Sequence, residues 1–151
     1  MPRLKTRTIE PPALIGWREK VSLPALAVGT IFAKIDTGAK TAALHATGIQ
    51  VVGGRVAFVV TVKGRHHHCN LPLKGERRIK SSSGHSQERA VVETEVAIGR
   101  HRFTIEVTLT DRTDMGVPML LGRASLGGRF MVHPARTQIL SAKKRKKIKK
   151  K

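Results

Sequence analysis

The stretch that decides the fold is Thr30–Leu44, which reads T-I-F-A-K-I-D-T-G-A-K-T-A-A-L. Its first half alternates in polarity, with Ile31, Ala33 and Ile35 sharing one face, and this period of two predicts a half-buried β-strand. The strand runs into Asp36-Thr37-Gly38-Ala39, whose glycine is free to adopt a positive φ. The sequence therefore predicts a carboxylate at the lip of a sheet, backed by backbone N–H donors.

A second stretch, Leu120-Leu121-Gly122-Arg123, lies near the other end of the chain. Asp and Gly also occur together in ordinary turns, so the Asp-Thr-Gly triplet alone is equally compatible with a purely structural turn. The later stretch favours a functional turn over a purely structural one. Here Met119–Leu121 is predicted to be a strand, and Ala124–Gly128 a short helix that ends at glycine. Two motifs of this kind in one chain are more specific than either alone.

The rest of the body reads as short strands between glycine turns, which predicts an all-β barrel or sandwich. Val56–Val62 follows a Gly53-Gly54 turn, and Val92–Ile98 with Phe103–Leu109 predicts a hairpin. Residues 65–89 are weakly patterned and are predicted to hold a mobile loop or flap beside a short strand near Asn70–Leu73. Three further expectations concern one helical turn at Thr41–His45, closing strands at Phe130–Pro134 and Thr137–Leu140, and Trp17 as a core anchor.

Composition bounds the class of protein. A chain of 151 residues suits one domain with a core of aliphatic side chains, since it contains four Phe, one Trp and no Tyr. It contains no apolar run long enough to span a membrane and no signal-peptide pattern, and its single cysteine, Cys69, excludes an internal disulfide. These features predict a cytoplasmic protein without a membrane partner.

The net charge of +19 is unevenly distributed. The run Lys143–Lys151 holds 8 of the 29 basic residues, and the remaining 21 still outnumber the 10 acids by 11. Such a run is predicted to be a disordered tail that either aids solubility or makes salt-sensitive contacts with nucleic acid or the ribosome. The basic body would favour acidic substrates by electrostatic steering.

Longer matches from about Ile15 to Leu140 carry a family resemblance. G-W-R-E, K-I-D-T-G-A-K-T-A-A-L-H-A, L-T-D-R, M-L-L-G-R and R-F-M-V resemble the bacterial family named putative ATP-dependent zinc proteases, now grouped with retropepsin-like aspartic endopeptidases. Some members of that family lie beside ATP-grasp ligases that add glutamate to ribosomal proteins. The chain departs from the family pattern at Val132-His133-Pro134, where the family has V-D-P.

The resemblance implies a retropepsin-like closed barrel with one short helix after the L-L-G-R segment. It also implies that the Asp36 loop crosses the later strand, and that Arg123 pairs with a carboxylate beside it. The family name is not supported by phosphate-binding or metal motifs, since the chain has neither G-x-x-x-x-G-K-[ST] nor H-E-x-x-H. His66-His67-His68-Cys69 is the one local metal candidate, and an exposed basic turn is the commoner role for such a run. We therefore expect no cofactor and no metal.

An aspartic mechanism needs two carboxylates that share one proton. Because the chain has a single Asp-Thr-Gly motif, the economical arrangement is a homodimer in which Asp36 faces its symmetry mate. Thr37 would brace the turn, Gly38 would let the backbone approach, and Ala39, Leu120, Leu121, Gly122 and Arg123 would support it. A dyad within one chain, with Asp111 or Asp114 as the second acid, is the alternative, although both residues also suit an ordinary turn.

The sequence thus predicts a flexible arm at 1–12, a retropepsin-like peptidase domain at 13–141 and a lysine-rich tail at 142–151. The predicted function is hydrolysis of peptide or amide bonds, on acidic, glutamate-rich peptides, with Asp36, Thr37 and Gly38 as the catalytic turn. Arg78, Ser83 and Arg89 flank the expected flap and are candidates for substrate binding. The alternative function is a binding module of the same fold that lacks activity and is tethered to nucleic acid or the ribosome by its tail.

Overall fold

The computed structural model describes residues 11–80 and 83–142, apart from the side chain of Asp114. Lys143–Lys151 and most of the predicted arm lie outside these residues. The described chain is almost entirely β-structure, as predicted, with a 3-10 turn at Thr113–Met115 and one short helix. Its elements are β1 (Ala13–Gly16), β2 (Arg18–Ser22), β3 (Thr30–Ile35), β4 (Ala42–His45), β5 (Thr47–Val52), β6 (Arg55–Val62), β7 (Arg65–Pro72), β8 (Gly75–Lys80), β9 (Ser86–Ile98), β10 (His101–Thr110), β11 (Met119–Leu121), α1 (Arg123–Leu126) and β12 (Phe130–His133).

The main sheet closes on itself. Its strands follow the order β10-β4-β11-β3-β2-β9-β8, and β10 also pairs with β9, so the strands from β10 to β9 form a ring. Ile31 and Ala33 of β3 are buried in the core, as their alternation predicts, together with Leu44, Val107 and Leu121 from neighbouring strands. The all-β prediction is therefore confirmed.

Two predicted hairpins are confirmed. β9 and β10 pair in antiparallel register from His101↔Ile98 to Thr108↔Val91. β5, β6 and β7 form a separate sheet, in which Gly53 lies in the β5–β6 turn with a φ of +58°. The two smaller sheets, this one and the parallel pair β1–β12, add to the ring rather than interrupt it. The described helices include none that is long and apolar enough to cross a membrane.

Three local predictions are wrong. The segment predicted as a helical turn at Thr41–His45 contains strand β4, because β10 and β11 supply hydrogen-bonding partners on its two sides. Residues 65–89 were predicted to hold a mobile loop or flap beside a short strand near Asn70–Leu73; β7 contains most of that strand, but the rest of the segment forms β8 and the start of β9 rather than a loop. Thr137–Leu140 was predicted as a closing strand but does not pair as one.

A buried carboxylate holds that last segment in place. Glu19 of β2 is 0 % exposed, and its two oxygens accept hydrogen bonds from the backbone N–H groups of Gly16, Ile139, Leu140 and Ser141 at 2.7–3.2 Å and from the Ser141 hydroxyl at 2.7 Å. Burial alone would raise the pKa of Glu19, but these hydrogen bonds outweigh it and lower the pKa below its ordinary value. The end of the domain is thus fixed by hydrogen bonds to one anion.

We predict that Glu19→Gln destabilises the domain by about 2–4 kcal/mol, because the amide would place its NH₂ group against N–H donors that now bind an oxygen. Since the pKa is lowered in the folded state, the stabilisation is fully present above the unfolded value of about 4.3 and is lost as the pH falls through the lower folded value. Urea unfolding at pH 7 and at pH 3 measures both effects. The exposed Glu76→Gln is the matched control, and an equal loss in both variants would contradict the role of Glu19.

Candidate functional site

Asp36 lies where β3 leaves the sheet. Its backbone N–H donates to the carbonyl of Leu121 at 2.9 Å, and its carboxylate oxygen Oδ1 accepts from the N–H of Gly38 at 3.1 Å. The turn then closes with Ala39 N–H donating to the Asp36 carbonyl at 3.3 Å. The side chain is half-buried. The carboxylate is therefore held at a defined point while part of it stays open to solvent.

The later apolar segment reaches this turn. β11 lies between β3 and β4, parallel to the first through Leu121↔Ile35 and antiparallel to the second through Leu120↔Ala43. Gly122 follows directly, and a Cβ atom there would lie 2.5 Å from the carbonyl oxygen of Thr41. Only glycine allows two backbones to approach so closely. The predicted crossing of the two motifs is therefore present.

Helix α1 completes the crossing. The N–H groups of Arg123 and Ala124 donate to the carbonyls of Ala39 and Lys40 at 2.8 and 2.9 Å. The Arg123 guanidinium donates from Nη1 to the Thr37 carbonyl at 2.9 Å, so the pairing of Arg123 with a carboxylate that the resemblance implied is not what the structure shows. The arginine instead braces the backbone of the turn beside Asp36.

Gly38 lies directly beside the carboxylate. It does not use its freedom to adopt a positive φ, since it is not among the glycines of the described chain that adopt one. A Cβ at this position would lie 3.3 Å from Asp36 Oδ1, which is the atom that binds the Gly38 N–H. The absence of a side chain keeps space beside the carboxylate.

Asp111 does not converge on Asp36. It follows Thr110, which pairs with His45 at the far end of β4, whereas the turn at Asp36 lies beside the start of that strand. The two acids are therefore separated by about five residues along the strands, or roughly 16 Å. Asp114 lies in the Thr113–Met115 turn beyond Asp111. The register thus gives no support to a dyad of Asp36 and Asp111 within one chain.

The three proposed substrate residues are distributed over the β8–β9 hairpin. Arg78 is exposed and forms an ion pair with Glu88 at 3.7 Å, and Ser83 is exposed near the connection between the strands. Arg89 is buried, with 9 % exposure. The part of the chain expected to hold a loop or flap is therefore a β-hairpin, with Arg78 on one face and Arg89 on the other.

Sequence reasoning missed a group of basic residues on the Asp36 face of β2 and β3. Arg18 pairs with Lys34, and Lys20 with Phe32. The Arg18 guanidinium lies 3.8 Å and the Lys20 ammonium 5.7 Å from the centroid of the Phe32 ring. The alternation of β3 already placed Phe32 and Lys34 together, but their partners on β2 follow from a register that the sequence does not state.

The metal candidates stay apart. Among the described residues, no three His, Cys, Asp or Glu side chains converge in a metal-binding arrangement. His66 and His68 point to the exposed face of β7, while Cys69 is buried on the other, where burial raises the pKa of its thiol. The predicted exposed turn is wrong for this segment, which is a strand. His133 ends β12, and its Nδ1 accepts from the N–H of Ala135 at 3.1 Å.

Comparisons with known proteins agree with this geometry. A family model described as "Retropepsin-like aspartic endopeptidase RimB" matches residues 14–143. The chain is 35 % identical over 130 residues to a probable alpha-L-glutamate ligase of Desulfotalea psychrophila and 32 % identical over 138 residues to one of Shewanella pealeana. These matches cover 81 % and 86 % of this chain but only 28 % and 30 % of the relatives, so the chain spans less than a third of their length.

A solved structure shows the same architecture. The crystal structure of Lpg0085, a protein of unknown function from Legionella pneumophila, superposes with a TM-score of 0.72 at 32 % sequence identity. The match covers 85 % of this chain and 98 % of the other.

We predict that Gly122→Ala destabilises the domain by about 1–3 kcal/mol. The added methyl group would push Thr41 and the Asp36 turn away from α1. Thermal unfolding measures the loss. Gly38→Ala is the control, because its added Cβ would meet only a side-chain oxygen at 3.3 Å and should cost less stability. Equal stability of the wild type and Gly122→Ala would contradict the close crossing.

Proposed function

The chain belongs to the RimB-like family of retropepsin-like aspartic endopeptidases, and we propose that it hydrolyses peptide or isopeptide-like amide bonds with two Asp36 carboxylates, one from each of two copies. The observation that carries the proposal is the placement of Asp36. A strand delivers this acid to a half-buried position, its carboxylate oxygen accepts the Gly38 N–H, and the β11 crossing holds its backbone.

The chemistry follows from two carboxylates that share one proton. Two carboxyl groups about 3 Å apart cannot both be ionised, because their like charges repel. One carboxyl group is therefore ionised and the other is protonated. The ionised carboxylate takes a proton from a water, whose oxygen attacks the amide carbon, while the protonated one donates its proton to the carbonyl oxygen. Collapse of the intermediate breaks the C–N bond, and the leaving nitrogen takes up a proton.

A second copy of the chain would supply the second acid. The register separates Asp36 from Asp111, and an exposed apolar residue, Trp17, lies next to the strand that ends at Asp36. Trp17 is 36 % exposed and its carbonyl accepts from the N–H of Ile35, the residue before Asp36. Leu14 and Met131, which pair across β1 and β12, are also exposed, at 40 % and 56 %. We propose that these apolar residues contribute to a two-fold contact that brings the two acids together.

An acidic peptide is the substrate class that the charges favour. The basic residues outside Lys143–Lys151 outnumber the acids by 11, and Arg18, Lys20 and Lys34 lie on the face that carries Asp36. The relatives are named for joining glutamate. A hydrolase acting on glutamate-rich chains would reverse that kind of reaction.

We predict that Asp36→Asn lowers the rate of hydrolysis of a glutamate-rich peptide by about 10²- to 10⁴-fold without altering the melting temperature substantially. Release of new amino groups measures the rate, and EDTA should leave the wild-type rate unchanged. Asp111→Asn should keep full activity, and its inactivity would favour a dyad within one chain. Wild-type protein that fails to hydrolyse any peptide would favour the non-catalytic binding module instead.

We also predict that Met131→Glu converts a dimer into a monomer, because it would bury a carboxylate in an apolar contact. Sedimentation equilibrium should give about twice the chain mass of 16.5 kDa for the wild type and that mass for the variant, with activity lost in parallel. Val52→Glu, at an exposed apolar position on β5, is the matched control and should stay dimeric. A monomeric and fully active wild type would contradict the shared dyad.

A further inference from the structure

Buried charged side chains are usually paired with an opposite charge, and Arg89 of β9 is an exception. As a whole residue it is 9 % exposed, whereas the side chains of the basic partners in the ion pairs of the described chain are 39–71 % exposed. Those partners are Lys74, Arg77, Arg78 and Arg102. Exposed cations gain little from an ion pair, while a buried cation needs one most. Arg89 is thus a buried cation that forms no ion pair with a carboxylate among the described side chains.

The described groups that interact with Arg89 are neutral or positive. Its Nε donates to the side-chain oxygen of Gln87 at 3.1 Å, and the hydroxyl of Thr110 donates to the same oxygen at 3.3 Å. Burial and the nearby charge of Arg112 lower the pKa of Arg89. Among the side chains that the structure describes, no carboxylate forms an ion pair with it. A guanidinium has five N–H donors, so most of its hydrogen-bonding capacity is left for a ligand.

Arg89 shares a face of the ring with Asp36. Paired residues of neighbouring strands point to the same side of a sheet. One row of partners crosses β3, β11, β4, β10 and β9 in turn: Lys34, Leu120, Ala43, Thr108 and Val91. Asp36 lies two residues after Lys34 and Arg89 two residues before Val91, so alternation places both on the face that bears this row. A ligand lying across the face would meet both residues.

The distance suits a peptide. Four strand spacings separate β3 from β9, and Asp36 and Arg89 lie two residues to opposite sides of the row, which gives roughly 23 Å between them in a flat sheet. An extended peptide covers that distance in about seven residues. The carboxylates already on this face are engaged, since Glu93 pairs with Lys74 and Glu106 with Arg77. Arg89 is thus available for an acid group that comes from outside the chain.

We propose that Arg89 is a specificity-determining residue that binds a side-chain carboxylate of the substrate, several residues from the bond cleaved at Asp36. The guanidinium fork binds the carboxylate through two N–H donors, and Gln87 holds the fork in position through Nε. This inference rests on the proposed function of Asp36, because it assigns one subsite of the same cleft. It gives a role to a buried arginine that forms no ion pair among the described side chains.

The test measures binding, so that it does not depend on hydrolysis. In the Asp36→Asn background, fluorescence anisotropy compares a labelled polyglutamate peptide of roughly eight residues with the polyglutamine peptide of equal length. We expect tighter binding of polyglutamate, a loss of about 10- to 100-fold in Arg89→Gln and a smaller loss in Arg89→Lys, which keeps the charge but not the fork. Arg100→Gln makes the same change of charge on the exposed β9–β10 turn and should have little effect.

Stability separates binding from a structural role. A binding arginine should leave the melting temperature of the free protein unchanged or raised when it is replaced by Met, because the variant no longer buries an unpaired charge. Lowered melting temperatures or failure to fold in both Arg89→Met and Arg89→Gln would assign Arg89 a structural role and overturn the proposal. Equal losses of affinity in Arg89→Gln and Arg100→Gln, or no preference for polyglutamate, would also overturn it, whereas inactive wild-type protein would count against Asp36 alone.

Discussion

The passage of β11 between β3 and β4 is the constraint on which the rest of the structure depends. It requires a backbone without a side chain at Gly122, where the carbonyl of Thr41 would lie 2.5 Å from a Cβ atom. It fixes the end of β3 through the hydrogen bond from Asp36 N–H to Leu121. It also starts helix α1 against the turn, through Arg123 N–H and the Ala39 carbonyl. Ring closure and the position of the acid are therefore consequences of the same contact.

The sequence was most informative where neighbouring residues determine the conformation. The alternation of β3, the turn at Gly53-Gly54 and the β9–β10 hairpin are local patterns, and they are present as predicted. The meeting of Asp36 with Leu121 was also anticipated, but only through the family resemblance that the two motifs carry. Neither motif alone carries information about the order of the strands in the sheet, since that order depends on pairing across the whole chain.

The errors share a physical cause, which is pairing between residues distant in sequence. β4 is a strand because Thr108 and Leu120 supply its neighbours, although its own residues are Ala-rich and short of strand signals. Trp17 was expected in the core, yet it retains 36 % exposure next to the Asp36 turn. The role of Glu19 depends on Ser141, more than 100 residues later, which no local reading of G-W-R-E connects to it.

Two buried charges show how structural and functional residues can be distinguished. Glu19 has no cation beside it among its hydrogen-bonding partners, but backbone N–H groups and a hydroxyl surround both of its oxygens. Its charge is fully solvated by the fold, so it stabilises the fold. Arg89 is also buried, at 9 % exposure, but makes one side-chain hydrogen bond, to Gln87. A fold that can solvate an anion so completely on β2 has not done so for a cation on β9, and local rules are typically broken in this way where a ligand completes the site. The degree of hydrogen bonding, rather than burial alone, therefore separates the residue that holds the domain together from the one that we assign to substrate.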